Sequence, residues 1–359
     1  MTPKSWLTSL SSGAAATVDR AATFAASASS RRARRSSAAE QLTHAERIAA
    51  LDAITDAYRD DAGLFFRGPR EIDPTLYRQQ PLQATPSLRV EVADAYWRSA
   101  YTCFLPELDE RYGKYTQNHS AAARLFQAPS AERRPVIVLI HGYLGGQYAA
   151  ESRIWPVKWL LKRGLDVALF VLPFHGVRQA PERRGPPPFP GADPRVTNEG
   201  FRQAMGDLRD LIGFLRGRGH PQVGVMGMSL GGYSTALLAT LDAELAFAVP
   251  LIPLASLADF ARDHGRLGSQ RESQSQHAAL DRAHRVVSPL HRPLRLESHR
   301  VLVIGAEADQ ITPIKHARRL ANHFHTTMET WPGGHLLQLG RSDAFRRVGH
   351  FVSELGVTA

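Results

Sequence analysis

The sequence predicts an α/β protein, with helices packed on both faces of a mostly parallel sheet. Three observations predict it. Residues 136–140, 167–172, 223–226, 247–252 and 301–304 are short, continuously apolar and rich in β-branched side chains. Such runs read as strands buried on both faces. Helical periodicity fills the gaps between them, as in 154–161 and 201–215. Glycines stand just past the strand ends, at Gly142, Gly227 and Gly305. In sheets of this class, ligands bind at the carboxyl ends of the strands.

Residues 1–36 are rich in Ala, Ser and Thr and carry Lys4, Arg20, Arg31, Arg32, Arg34 and Arg35 against Asp19 alone. That is half of the net charge of +10 in a tenth of the 359 residues. The segment reads as a disordered basic tail, able to make weak contact with a membrane surface. No nucleic-acid-binding motif accompanies the charge, so nucleic acid is not an expected partner. No continuous apolar stretch comes after Met1 and none reaches transmembrane length, which leads to an expected cytoplasmic location. From Ala38, Leu42, Ile48, Leu51, Ile54 and Tyr58 recur at helical spacing. The stretch after it, marked by Pro69, Pro74, Pro81 and Pro86, reads as irregular, with short strands near 88–92 and 125–127. Residues 37–130 are therefore expected to form an N-terminal extension packed on a main domain of 131–359.

The hydrophobic fraction of 43% supports a large core, and the single cysteine, Cys103, excludes an internal disulfide and any Cys-based zinc site. No metal or organic cofactor is expected.

The loops at the strand ends carry the chemistry. After the strand ending near Met226 comes Gly227-Met228-Ser229-Leu230-Gly231. A serine on a sharp strand-to-helix turn presents its hydroxyl, and glycines two residues either side admit neighbouring backbone. Ser229 is the candidate nucleophile. After 136–140 comes His141-Gly142-Tyr143-Leu144-Gly145-Gly146. Such a turn can aim backbone N–H groups at an oxyanion, with Tyr143 and Leu230 as the expected donors. His141 precedes the turn and is assigned to bracing the loop. After 301–304 the loop offers two acids, Asp309 and Glu307; Asp309 is preferred because it lies deeper, ahead of Pro313. After an extended segment at 326–331, Gly333-Gly334-His335 frees a histidine to act as general base.

His141-Gly142, Gly227–Gly231, Asp309 and Gly334-His335, in this order and each after a strand, resemble the α/β-hydrolase superfamily over about 130–359. The resemblance implies an eight-stranded, mostly parallel sheet and an acyl-enzyme mechanism, with Ser229 attacking, His335 as base and Asp309 orienting it. The oxyanion loop departs from the His-Gly-Gly-Gly run of one lipase and esterase branch. The loop Pro173-Phe174-His175-Gly176-Val177-Arg178 also departs, where many members carry Asp and Gly-His-Gly. His175 and Arg178 are secondary candidates for substrate contact.

A segment of about 257–299 is longer than a usual connection and is expected to form a helical cap. It shows no clear apolar face, which disfavours long-chain triglycerides. The Pro-rich loop 185–193 either shapes the entrance or is a solvated linker. The sequence thus predicts a serine hydrolase acting on a carboxylic ester or thioester of a small acyl substrate. An amide or carbon–carbon hydrolase, an acyltransferase and a non-catalytic binding protein on the same fold are the alternatives.

Overall fold

In the computed structural model, the described residues are 15–19, 42–59, 63–130, 132–182 and 185–358. They form one ten-stranded mixed sheet with helices on both faces. The strands are β1 (Thr75–Arg78), β2 (Leu82–Thr85), β3 (Leu88–Arg98), β4 (Ser120–Gln127), β5 (Val136–Ile140), β6 (Asp166–Val171), β7 (Val223–Met228), β8 (Ala248–Leu251), β9 (Leu302–Ala306) and β10 (Thr327–Trp331). Their spatial order is β1-β3-β4-β6-β5-β7-β8-β9-β10, with β2 paired to β3. From β6 to β10 all neighbours run parallel. β1 to β4 pair antiparallel, and β4 joins them to β6.

The strand run from β3 to β10 supplies the eight strands anticipated, and β1 and β2 add two short strands at the antiparallel end. Strands β1 to β4 all come from residues 37–130; the short strands expected near 88–92 and 125–127 lie in β3 and β4, which are longer, running to Arg98 and starting at Ser120. The reason is composition. β4 reads Ser-Ala-Ala-Ala-Arg-Leu-Phe-Gln, and alanine is a helix former that gives no strand signal. Pairing with β3 decides its conformation, and Asp94 and Arg124 sit opposite each other in an ion pair at 2.6 Å.

The continuously apolar strands are explained by two cores. Val136, Val138 and Ile140 of β5 feed one, with Leu208 of α5 (Pro194–Gly217), Tyr233 of α6 (Leu230–Ala239) and Leu320 of α9 (Lys315–Phe324). Ile137 and Leu139 feed the other. There they join Tyr148 of α3 (Tyr148–Ile154), Leu160 of α4 (Val157–Lys162) and Val348 of α10 (Arg341–Glu354). The helix anticipated at 154–161 is two helices, because Pro156 interrupts the chain between α3 and α4.

Helix α1 (His44–Ala57) opens with a capping box, in which Thr43 and Glu46 each accept from the other's backbone N–H. It lies against the segment after β8, which holds α7 (Leu257–Asp263) and α8 (Ser273–Ala283). Arg282 of α8 pairs with Asp52 at 2.6 Å, and Gln276 meets His44 at 3.1 Å. Within 1–36, residues 15–19 are helical; the rest of the basic tail lies outside the described residues. Among the described residues, no helix is long and apolar enough to cross a membrane.

Candidate active site

The elbow after β7 is built as its glycines require. Ser229 holds φ 58° and ψ −112°, a conformation costly for a side-chain-bearing residue. It is fixed on both sides. The Ser229 N–H donates to Leu251 O at 3.0 Å, and its carbonyl accepts from Tyr233 N at 3.0 Å. A Cβ on Gly227 would lie 2.1 Å from Gly231 O, and one on Gly231 would lie 2.1 Å from Ile140 O. Any larger residue would push the helix off the sheet. Leu230 opens α6, so its N–H belongs to the first turn, where no intrahelical acceptor exists.

The loop after β5 approaches from the side. A Cβ on Gly142 would lie 3.5 Å from Ser229 Cβ, so the turn carrying Tyr143 runs beside the serine. His141 braces this turn. Its Nε2 accepts from Leu172 N at 3.0 Å, which leaves the proton on Nδ1, 2.7 Å from Gly142 O. Burial pushes its pKa down to about 4, so the ring is neutral. Glu151, also buried, accepts from Gly146 N at 2.9 Å and Trp155 Nε1 at 3.1 Å and holds the far end of the loop. The Tyr143 hydroxyl donates to Pro187 O at 3.2 Å, tying the Pro-rich loop to the loop after β5.

The acid and the histidine meet across two loops. Asp309 Oδ2 lies 2.7 Å from His335 Nδ1. The Asp309 carboxylate is 1% exposed and also accepts from Ile311 N at 2.8 Å, Thr312 N at 2.7 Å and the Thr312 hydroxyl at 3.0 Å. With Nδ1 donating to Asp309, Nε2 of His335 is left as the basic nitrogen. Glu307, the other acid considered, is exposed and accepts from the Thr330 hydroxyl instead. Gln338 links the histidine loop to β7, the strand before Ser229: its amide donates to His335 O at 2.9 Å and lies 3.0 Å from Met228 Sδ. Ser229 and His335 thus share one end of the sheet, without a direct hydrogen bond between their side chains. Such pairs are often long before substrate binds.

His175 and Arg178, considered for substrate contact, are both buried and engaged by the protein itself. The His175 ring is buried, with Nδ1 2.8 Å from Pro173 O and its face among His141, Tyr143 and Phe189. Arg178 is 2% exposed; it pairs with Asp207 at 2.8 Å and donates to Val171 O and Asn118 O. A guanidinium so engaged fixes the loop after β6 to α5. Thr312, Gln338 and Glu151 belong to the site's frame and had no local sequence signal. Among the described residues, no cluster of His, Cys, Asp and Glu could hold a metal ion.

This arrangement of sheet and helices recurs in solved structures. An acetyl xylan esterase from Paenibacillus sp. R4 superposes with a TM-score of 0.54 at 16% identity, over 84% of this chain and 92% of that one. Acetyl xylan esterase 1 from Thermoanaerobacterium sp. JW/SL YS485 gives 0.52 at 17%, over 86% and 92%. The fold is the α/β-hydrolase fold. Eight of the ten strands, β3 to β10, make the run the fold calls for, and Ser229, Asp309 and His335 stand after β7, β9 and β10.

In sequence, this α/β-hydrolase-fold chain is similar to uncharacterised proteins of Mycobacterium tuberculosis strains CDC 1551 and H37Rv. Each is 31% identical over 231 residues, 63% of this chain. The chain spans about half of their length, 55%. No protein-family model matches the chain.

Proposed function

We propose that the protein is a serine hydrolase that cleaves a carboxylic ester or thioester through an acyl-enzyme. The observation that carries this reading is the Asp309–His335 pair at 2.7 Å, bound through Gln338 to the strand that presents Ser229 on a strained elbow. A scaffold protein has no use for a costly backbone conformation at a serine at the same end of the sheet as a buried acid–histidine pair.

Ser229 Oγ attacks the acyl carbon, and its proton passes to His335 Nε2. The imidazolium is stabilised by Asp309, which keeps its charge. The oxyanion accepts from the N–H groups of Leu230 and Tyr143, each contributing on the order of 3 kcal/mol to the transition state. Collapse breaks the bond to the leaving oxygen or sulfur, which takes the proton from His335. Water, deprotonated by His335, then attacks the acyl carbon; the bond to Ser229 Oγ breaks, Oγ takes the proton back from His335, and the acid is released.

The two structural neighbours are acetyl xylan esterases, which makes acetyl esters the first substrates to try. The test is covalent labelling of the full chain with a fluorophosphonate, with the modified peptide mapped by mass. Labelling at Ser229 that disappears in Ser229→Ala supports the reading. A folded protein that takes no label and does not hydrolyse p-nitrophenyl acetate refutes it.

A further inference from the structure

Residues 15–19 form a helical turn far from the sheet in sequence but seated on the site. Ala15 and Asp19, four apart and therefore on one face, are both 0% exposed, while Val18 is 44% exposed. Asp19 is the single acid of the first 36 residues. Its carboxylate accepts from the backbone N–H of His335 at 2.7 Å, of Leu336 at 2.9 Å and of Gln310 at 3.3 Å. Gln310 adjoins Asp309, so one side chain joins the acid loop to the histidine loop. Gly334 makes room for it: a Cβ there would lie 2.7 Å from Asp19 Oδ2 and 3.1 Å from Ala15 Cβ.

We infer that Asp19 is a positioning residue for the catalytic histidine, and that segment 15–19 clamps the two loops that carry Asp309 and His335. The inference rests on the serine-hydrolase reading above. The physical reason is mobility. The histidine loop is tied by Ala308 N–H to Gly333 O at 3.1 Å, by Gly334 N–H to Leu337 O at 3.0 Å and by Gln338 to His335 O at 2.9 Å. None of these holds the N–H of His335 or of Leu336, and Gly333 and Gly334 leave the chain before them free to turn. A buried carboxylate that accepts its N–H, and the next one, fixes the loop through charge-assisted hydrogen bonds. The Asp309–His335 contact then needs no further ordering when the proton moves, and small misplacements of a base are costly.

The test uses the full chain as Asp19→Ala, Asp19→Asn and Gly334→Ala. In Asp19→Ala, kcat for p-nitrophenyl acetate and the rate of fluorophosphonate labelling are expected to fall about tenfold, with KM within about twofold. Asp19→Asn keeps one acceptor oxygen and should fall between Asp19→Ala and the wild type. Gly334→Ala displaces the segment from the other side, and its loss should not add to that of Asp19→Ala. Amide hydrogen exchange reads the clamp without any activity: His335 and Leu336 should be protected in the wild type and exposed in Asp19→Ala. A merely structural role would lower the melting temperature and leave kcat per folded molecule unchanged; that outcome, or unprotected amides in the wild type, overturns the inference. Failure of the wild type to label at Ser229, with the amides protected, strikes the hydrolase reading instead.

Discussion

Asp309 and His335 come from loops after neighbouring parallel strands, β9 and β10, and meet at 2.7 Å because Thr312 and two backbone N–H groups hold the carboxylate from behind. The geometry leaves the carboxylate as an acceptor only. Asp309→Asn would present an amide able to donate toward Nδ1 and turn the imidazole to the wrong tautomer. The expected result is a loss of about 10³- to 10⁴-fold in kcat for p-nitrophenyl acetate, with an unchanged melting temperature. A loss under tenfold would remove Asp309 from the mechanism.

Ser229 holds a strained backbone conformation. Both Ser229→Gly and Ser229→Ala should abolish hydrolysis. They should differ in stability, because only glycine tolerates φ 58° with ψ −112° without cost. Ser229→Gly is expected to be more stable than Ser229→Ala by about 1 kcal/mol, read from urea denaturation. Equal midpoints would show that the elbow is not strained.

Gly231, like Gly227, leaves no room for a side chain: an added Cβ would lie 2.1 Å from Ile140 O, a backbone atom. Gly231→Ala must move α6 or the end of β5. A destabilisation of about 2–3 kcal/mol is expected, together with a loss of labelling at Ser229. Unaltered labelling would show that α6 can shift without disturbing the nucleophile.

Arg178 separates a structural from a substrate-contacting role. Its ion pair with Asp207 is buried, both side chains 1% exposed. Arg178→Met leaves the Asp207 charge alone in the interior and is expected to cost about 3–5 kcal/mol of stability. KM for p-nitrophenyl acetate, measured on the folded fraction, should stay within about twofold. A large rise in KM with stability intact would return Arg178 to the substrate.

Two buried histidines make the fold acid-sensitive. Burial holds His141 and His284 down at about 4, against 6.5 when unfolded. The unfolded chain therefore binds more protons as pH falls. The stability these rings contribute is complete above 6.5 and is lost progressively toward 4. Between pH 7 and pH 5 each withdraws about 2 kcal/mol. Asp166, lifted by burial to about 6, titrates in the opposite sense and offsets part of this. Urea midpoints at pH 7 and pH 5 test it: His284→Gln should flatten the difference. An unchanged slope in that variant would show that His284 does not stay neutral.

Much of this protein was legible in the chain. The parallel strands announced themselves because burial on both faces demands uninterrupted apolar residues, and 136–140 matches β5 to the residue. Ser229 and Asp309 stood out as candidates because each follows such an apolar strand, and His335 because two glycines precede it after the extended, partly polar segment that forms β10. Contacts between distant segments were not legible. Ala-rich β4 is a strand only because β3 and β6 pair with it. Arg178 looked available until Asp207, on another element, claimed it. Asp19 looked like one acid in a basic tail, and only the folded chain sets its carboxylate 2.7 Å from the His335 amide. Local patterns are written by burial and turn geometry, which act over a few residues. Which carboxylate meets which loop depends on packing across hundreds of residues, and no local pattern encodes that.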